Sequence, residues 1–138
     1  MSQSAVIYWS GTGNTKAMAE SIVQGMQEAG ATVDLLEVSA APADLSAYDK
    51  LAFGCPSMGA ETLEDASFDP YFTSVEGQLS GKKVALFGSY GWGDGEWMRN
   101  WVARANAAGA QLLDEGLICQ DAPDAETCAA QGKKFAGM

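Results

Sequence analysis

Three short runs in this chain are apolar without a break: Val6-Ile7-Tyr8, Leu51-Ala52-Phe53 and Val84-Ala85-Leu86-Phe87. A strand with one solvated face alternates apolar and polar residues. A continuously apolar run suits a parallel strand covered on both faces. Between these runs the pattern changes period. Met18, Ile22 and Met26 recur every four residues and form one apolar helical stripe, with Gly25 beside it to allow close packing on the sheet. The chain reads as strands over 4–9, 32–37, 50–54, 83–88 and 116–120. Helices are predicted over about 14–29, 68–76, 95–108 and 124–136, with a short helical turn near 43–46 after Pro42. Gly30 and Gly109 each follow a helical pattern and predict C-caps. Such alternation predicts an α/β fold with an open parallel sheet and right-handed crossovers. No linker, repeat or low-complexity stretch divides it, so residues 1–138 are expected to form a single domain.

Three loops at predicted strand ends are unusual: 10–15, 55–61 and 89–95. In open α/β sheets, ligands bind outside the carboxyl ends of the strands at the topological switch point. The first loop, Ser10-Gly11-Thr12-Gly13-Asn14-Thr15, lies between a strand and a helix. Converging backbone N–H groups, hydroxyls and a helix N-terminus make an anion cradle there. It contains neither Lys nor Arg. A P-loop would need a Gly-Lys pair, which is absent at Lys16. A dinucleotide fingerprint would need a third glycine where Lys16 stands.

Composition narrows the chemistry. The 138 residues carry 8 Lys+Arg and 18 Asp+Glu, a net charge of −10, and no histidine. So acidic a surface repels nucleic acid and anionic membranes and favours basic protein partners. Without histidine there is no Ser-His or Cys-His nucleophile pair and no imidazole acid–base group. The three cysteines, Cys55, Cys119 and Cys128, are scattered, which speaks against zinc and for reduced thiols. No apolar run approaches the ~20 residues of a membrane span, and no export signal is evident, so a cytoplasmic protein is expected. Any chemistry is expected to belong to a cofactor.

At this point the residues carry a resemblance. Ser10-Gly11-Thr12-Gly13-Asn14-Thr15 after a first strand is similar to the phosphate loop of the flavodoxins. Gly54-Cys55-Pro56-Ser57-Met58-Gly59 and Phe87-Gly88-Ser89-Tyr90-Gly91-Trp92-Gly93 resemble that family's two isoalloxazine loops. The likeness covers essentially the whole chain, and the last strand lacks a long insertion, as in the short-chain branch. It implies a flavodoxin-like three-layer sandwich: a five-stranded parallel sheet, order 2-1-3-4-5, with helices on both faces. It also implies non-covalent FMN, with the phosphate on Ser10, Thr12, Asn14 and Thr15 and the backbone of Gly11 and Gly13 close by. Met58 would cover one ring face and Trp92 the other. The Gly59 carbonyl would turn toward flavin N5–H after one-electron reduction, and Glu61 would accept from N3–H.

Tyr90, Gly91 and Gly93 would bring the third loop against the pyrimidine edge. Pro56 stands where some relatives offer a hydroxyl and has no N–H to give, which leaves Ser89 as the better extra phosphate ligand and the role of Ser57 open; the Cys55–Pro56 bond is a candidate for cis. Ala60 departs from the expected Gly, Asn or Asp. A type II turn over 58–61 would place it at positive φ, at a cost of ~1–2 kcal/mol. Trp97 and Trp101, at helical spacing, and Trp9 are expected to be structural, and Cys55 to be a packed, unreactive thiol.

The implied function is low-potential one-electron transfer, mainly between flavin semiquinone and hydroquinone, by a monomer that meets basic surfaces of redox partners transiently. The acidic residues Glu61, Glu64, Asp65 and Asp94 are expected to oppose the anionic reduced flavin. At ~12 Å and an effective dielectric of ~40–80 each contributes only ~0.3–0.7 kcal/mol, so the effect must be collective. The alternative is an FMN-dependent NAD(P)H or quinone reductase. A phosphoacceptor receiver domain of similar topology would need acidic residues where Ser10–Asn14 stand.

Overall fold

A computed structural model of the chain describes residues 3–11, 13–58, 62–91 and 93–138. In chain order the elements are β1 (Gln3–Tyr8), α1 (Asn14–Glu28), β2 (Thr32–Glu37), β3 (Lys50–Gly54), α2 (Phe68–Val75), β4 (Lys83–Tyr90), α3 (Glu96–Ala107), β5 (Gln111–Leu112), β6 (Leu117–Gln120) and α4 (Ala125–Ala136). All strand pairs are parallel, in the order β2-β1-β3-β4-β5, with β6 also on β4.

The uninterrupted apolar runs are explained by two cores. Ala5, Ile7, Leu51, Phe53, Val84 and Leu86 point to the α2/α3 side. Their neighbours Val6, Tyr8, Ala52, Ala85 and Phe87 point to the α1/α4 side. Alternate residues therefore feed opposite layers, and neither face is left to water. The α2/α3 core is the aromatic one. Phe72 meets Phe53 edge-on at 5.2 Å and Trp101 at 5.7 Å. Trp97 and Trp101 are buried core residues, as their spacing predicts.

The fifth strand position differs from expectation. It is shared by two short segments along one edge of β4. β5 pairs with Lys83 and Val84, and β6 pairs with Phe87 through Tyr90. Between them the chain turns through positive φ at Asp114 (55°) and Gly116 (86°). A two-residue strand carries no period of its own, so 116–120 alone was readable. The turn predicted at 43–46 is likewise displaced: a 3₁₀ turn forms at Val38–Ala40, where the Glu37 carboxylate accepts from the Ser39 amide. Residues 43–46 are irregular instead, held by the Asp44 carboxylate on the Ser46 amide.

Both predicted C-caps form. Gly30 N–H donates to Gln27 and Ala31 N–H to Met26. Gly109 and Ala110 repeat the pattern on Asn106 and Ala105. Gly25 serves a different contact from the one expected. A Cβ there would lie 1.9 Å from the carbonyl oxygen of Ala129, and one on Gly132 would lie 2.1 Å from that of Ile22. The glycines let α1 and α4 cross backbone to backbone, rather than letting α1 approach the sheet.

Candidate functional site

The ends of β1, β3 and β4 are joined where their loops begin. Trp9 N–H donates to Gly54 O at 3.0 Å, Cys55 N–H to Phe87 O at 3.1 Å, and Ser57 N–H to Ser89 O at 3.0 Å. These bonds continue the ladder past the strands and bring the three loops to one edge. The cleft between them is lined by Trp9, Gly11, Asn14, Pro56, Ser57, Met58, Ser89, Tyr90, Gly91 and Asp121.

The first loop folds around a local contact. Gly13 N–H donates to Ser10 Oγ at 3.0 Å. Gly13 stands at φ 100° as N-cap of α1, a conformation that favours glycine. It offers no side-chain acceptor to the helix amides, and the first turn holds no acid. The helix N-terminus thus keeps its positive end for an anion. Beneath it, Thr15 and Ser89 are both buried, and their hydroxyl oxygens lie 2.8 Å apart. Two hydroxyls carry two protons. One closes their mutual bond, and the second stays available to an acceptor in the cleft.

In the second loop Met58 and Thr62 exchange backbone hydrogen bonds of 2.9 and 3.0 Å, which bracket residues 59–61. All described peptide bonds are trans, so the Cys55–Pro56 bond is not the cis candidate considered above. Cys55 is fully buried, its Sγ accepts the Glu64 amide at 3.3 Å, and burial pushes its thiol up to about 12. It is a packed, unreactive thiol.

Two lining residues were not anticipated as such. Trp9 packs on the core, as expected, and also lines the cleft. Asp121, at φ 57° just beyond β6, donates its N–H to Tyr90 O at 2.8 Å. Its distance in sequence from the three loops hid it. Only the pairing of β6 with β4 carries it there.

Of the expected residues, Ser10, Gly13 and Thr15 do not line the cleft but join it through the hydrogen bonds given above. Gly93, at φ 93°, lies outside the lining. Thr12, Gly59, Ala60, Glu61 and Trp92 lie outside the described residues. The expected acidic set changes. Glu64 is buried, and its carboxylate accepts the amides of Ala66, Ser67 and Phe68 at 2.7–2.9 Å, capping the start of α2. Burial raises its pKa, but the three amide donors outweigh it and hold the group below its usual range. Asp94 pairs with Arg99 at 3.0 Å. Asp65 remains exposed.

A second recess, behind Thr62 and Leu63, is lined by Trp97, Trp101 and Arg104. Its Arg104 is committed to Asp69 and Glu76, at 3.0 and 2.8 Å, and binds α3 to α2. Among the described residues the cleft differs in having no cation in its lining, and Asp121 is the one acid there. Its donor set suits a phosphate monoester at the α1 end with a flat, apolar-faced group beside Met58 and Tyr90. Among the described residues no helix is long and apolar enough to cross a membrane.

A model of the flavodoxin family matches residues 6–132. The chain is 46% identical to a flavodoxin of Clostridium beijerinckii over 136 residues, 96% of this chain and 99% of that one. It is 42% identical to a flavodoxin of Megasphaera elsdenii over 132 residues, 95% and 96% of the two. The solution structure of two-electron reduced Megasphaera elsdenii flavodoxin superposes with a TM-score of 0.90 at 42% identity, covering 98% of this chain and 99% of that one. The strand order, the three converging loops and these full-length likenesses agree: the chain belongs to the flavodoxin family of FMN-binding electron-transfer proteins, and to its short-chain branch.

Proposed function

We propose that this chain is a low-potential one-electron carrier that holds FMN non-covalently and works mainly between the one- and two-electron-reduced levels of the flavin. The observation that carries the reading is the first turn of α1. It has no side-chain cap at Gly13, no acid, and a pair of buried hydroxyls beneath it at Thr15 and Ser89. Family membership and the cleft's donor set support FMN as the occupant.

Bound FMN supplies the redox chemistry, and the chain supplies position and field. Ser10, Thr12, Asn14 and Thr15 would hold the phosphate, with Gly11 and Gly13 giving backbone approach and Ser89 donating through the hydroxyl pair. Met58 and, by the family resemblance, Trp92 would cover the two ring faces and exclude water. By the family resemblance, Gly59 would offer its carbonyl at N5 and Glu61 would accept from N3–H, with Ala60 between them. Tyr90 and Gly91 would close the pyrimidine side, while Pro56 and Ser57 frame the loop. Neutral donors leave the phosphate charge unneutralised, and with Asp121 it opposes added negative charge on the ring.

The partners proposed are redox proteins with basic surfaces, met transiently by a monomer in the cytoplasm. The small, salt-sensitive encounter of redox proteins fits a net charge of −10.

Stepwise dithionite reduction of the purified protein, followed by visible absorption, tests the reading. Flavin bands that pass through a distinct one-electron-reduced spectrum support it. A colourless protein that does not take up FMN overturns it. Rapid direct bleaching by NADH or NADPH in stopped flow would favour the reductase instead.

A further inference from the structure

Trp97 does more than fill the aromatic core. Buried in the first turn of α3, it donates its indole N–H to the Cys55 carbonyl at 3.2 Å. Its ring centre lies 5.5 Å from that of Tyr90, which lines the cleft. One side chain therefore touches the start of the second loop and the end of β4, where the third loop begins. The close approach needs Gly88. A Cβ there would stand 2.2 Å from the Cys55 carbonyl oxygen and 3.1 Å from Trp97 Cζ2. Cys55 is gripped at two further points. Its N–H donates to Phe87 O at 3.1 Å, and its Sγ accepts the Glu64 amide at 3.3 Å. The sulfur bond ties the return of the second loop to its departure, outside the Met58–Thr62 pair.

We propose that Trp97 and Cys55 are positioning residues for the flavin: together they fix where the second loop stands against the third before the cofactor binds. The proposal rests on the reading of the cleft as the FMN site. Neither residue lines the cleft, so each acts through the loops it holds. A buried carbonyl and a buried amide are costly to leave unmet, which keeps both bonds closed. A loop already placed does not have to be ordered when the ring enters, and that saving appears as affinity. The same holds when one-electron reduction calls on the backbone between Met58 and Thr62.

Trp101 supplies the contrast. It stands one turn further along α3, is as deeply buried as Trp97, and packs edge-on to Phe68 and Phe72. Its indole N–H has no hydrogen-bond partner among the described residues. Two tryptophans of one helix thus share the work of filling the core, and Trp97 adds a bond to the second loop. Replacing each by Phe keeps an aromatic ring and removes an indole N–H, but only Trp97→Phe takes a donor from the Cys55 carbonyl.

The test compares Trp97→Phe with Trp101→Phe in the full chain. Without flavin, amide hydrogen exchange at Ser57, Met58 and Thr62, followed by NMR, should be about tenfold faster in Trp97→Phe, while the amides of Gly30 and Ala31 at the end of α1 respond alike in both. FMN should bind Trp97→Phe about tenfold more weakly than Trp101→Phe, a difference of ~1.4 kcal/mol. Dithionite titration of the loaded Trp97→Phe should show less one-electron-reduced flavin at its midpoint. If Trp97→Phe does not fold, Cys55→Ala frees the Glu64 amide and should show the same pattern. Its matched control is Cys128→Ala, at a fully buried cysteine of the other core. Equal exchange, affinity and titration within a matched pair make the residue a core filler and overturn this proposal alone. A parent chain that takes up no FMN overturns the FMN reading, and this proposal with it.

Discussion

Thr15 Oγ1 and Ser89 Oγ meet at 2.8 Å across the boundary between α1 and β4, both buried. This bond locks the first loop to the third beneath the cleft. Thr15→Val keeps the shape and strands the Ser89 hydroxyl, at an expected cost of about 1–3 kcal/mol. Adding Ser89→Ala removes the stranded group, so the double variant should recover part of that loss. Urea unfolding of the four proteins, without added flavin, gives the cycle. Strictly additive losses would show that the pair is not coupled.

Gly25 and Gly132 hold α1 and α4 at backbone contact. Gly25→Ala forces a Cβ to within 1.9 Å of the Ala129 carbonyl oxygen, and should destabilise by about 1–3 kcal/mol or more. Gly77→Ala is the matched control. It has open space around it and no positive φ, so it should be neutral or stabilise by up to ~1 kcal/mol. Equal effects at the two sites, measured by thermal melting, would contradict the close-crossing account.

Glu64 ties stability to pH. Its folded-state pKa is held below the 4.5 of a free Glu side chain. A depressed carboxylate stabilises fully above the unfolded pKa and loses that contribution as pH falls through the folded value. Glu64→Gln should therefore be less stable than the parent at pH 7 by about 1–2 kcal/mol, the scale of a lost helix cap. The gap should narrow below about pH 4.5. Denaturant midpoints at pH 7 and pH 3.5 check this, and a gap that widens in acid refutes it.

Ala60→Gly should relieve the positive-φ strain expected of the turn over 58–61. The first reduction potential should then rise, by roughly 40 mV for each kcal/mol relieved. Spectroelectrochemical titration of the FMN-loaded protein reads the shift, and an unchanged or lower potential counts against the strain.

Electron transfer to a basic redox protein should slow as salt rises, since screening shortens the reach of the acidic surface to about 8 Å at 0.15 M. Stopped-flow rates from low to high ionic strength measure the slope. A flat profile removes electrostatic steering.

The sequence by itself determined the layers and the loops. Uninterrupted runs such as Val84–Phe87 can satisfy two cores at once only in a sheet covered on both faces. The Met18-Ile22-Met26 stripe and the caps at Gly30 and Gly109 are local rules, legible because turn and helix chemistry act over a few residues. The Ser10–Thr15 loop was legible for the same reason, and its missing cation already distinguished it from nucleotide loops. What spans the chain was left to the tertiary structure. It put Asp121 and Trp9 on the cleft, turned Glu64 from a flavin-facing charge into a helix cap, and moved Gly25 from a sheet contact to a helix crossing. It also split the last strand into β5 and β6. Each depends on which partner lies opposite. That is set by loop closure and by packing between residues far apart in sequence, and no local period records it.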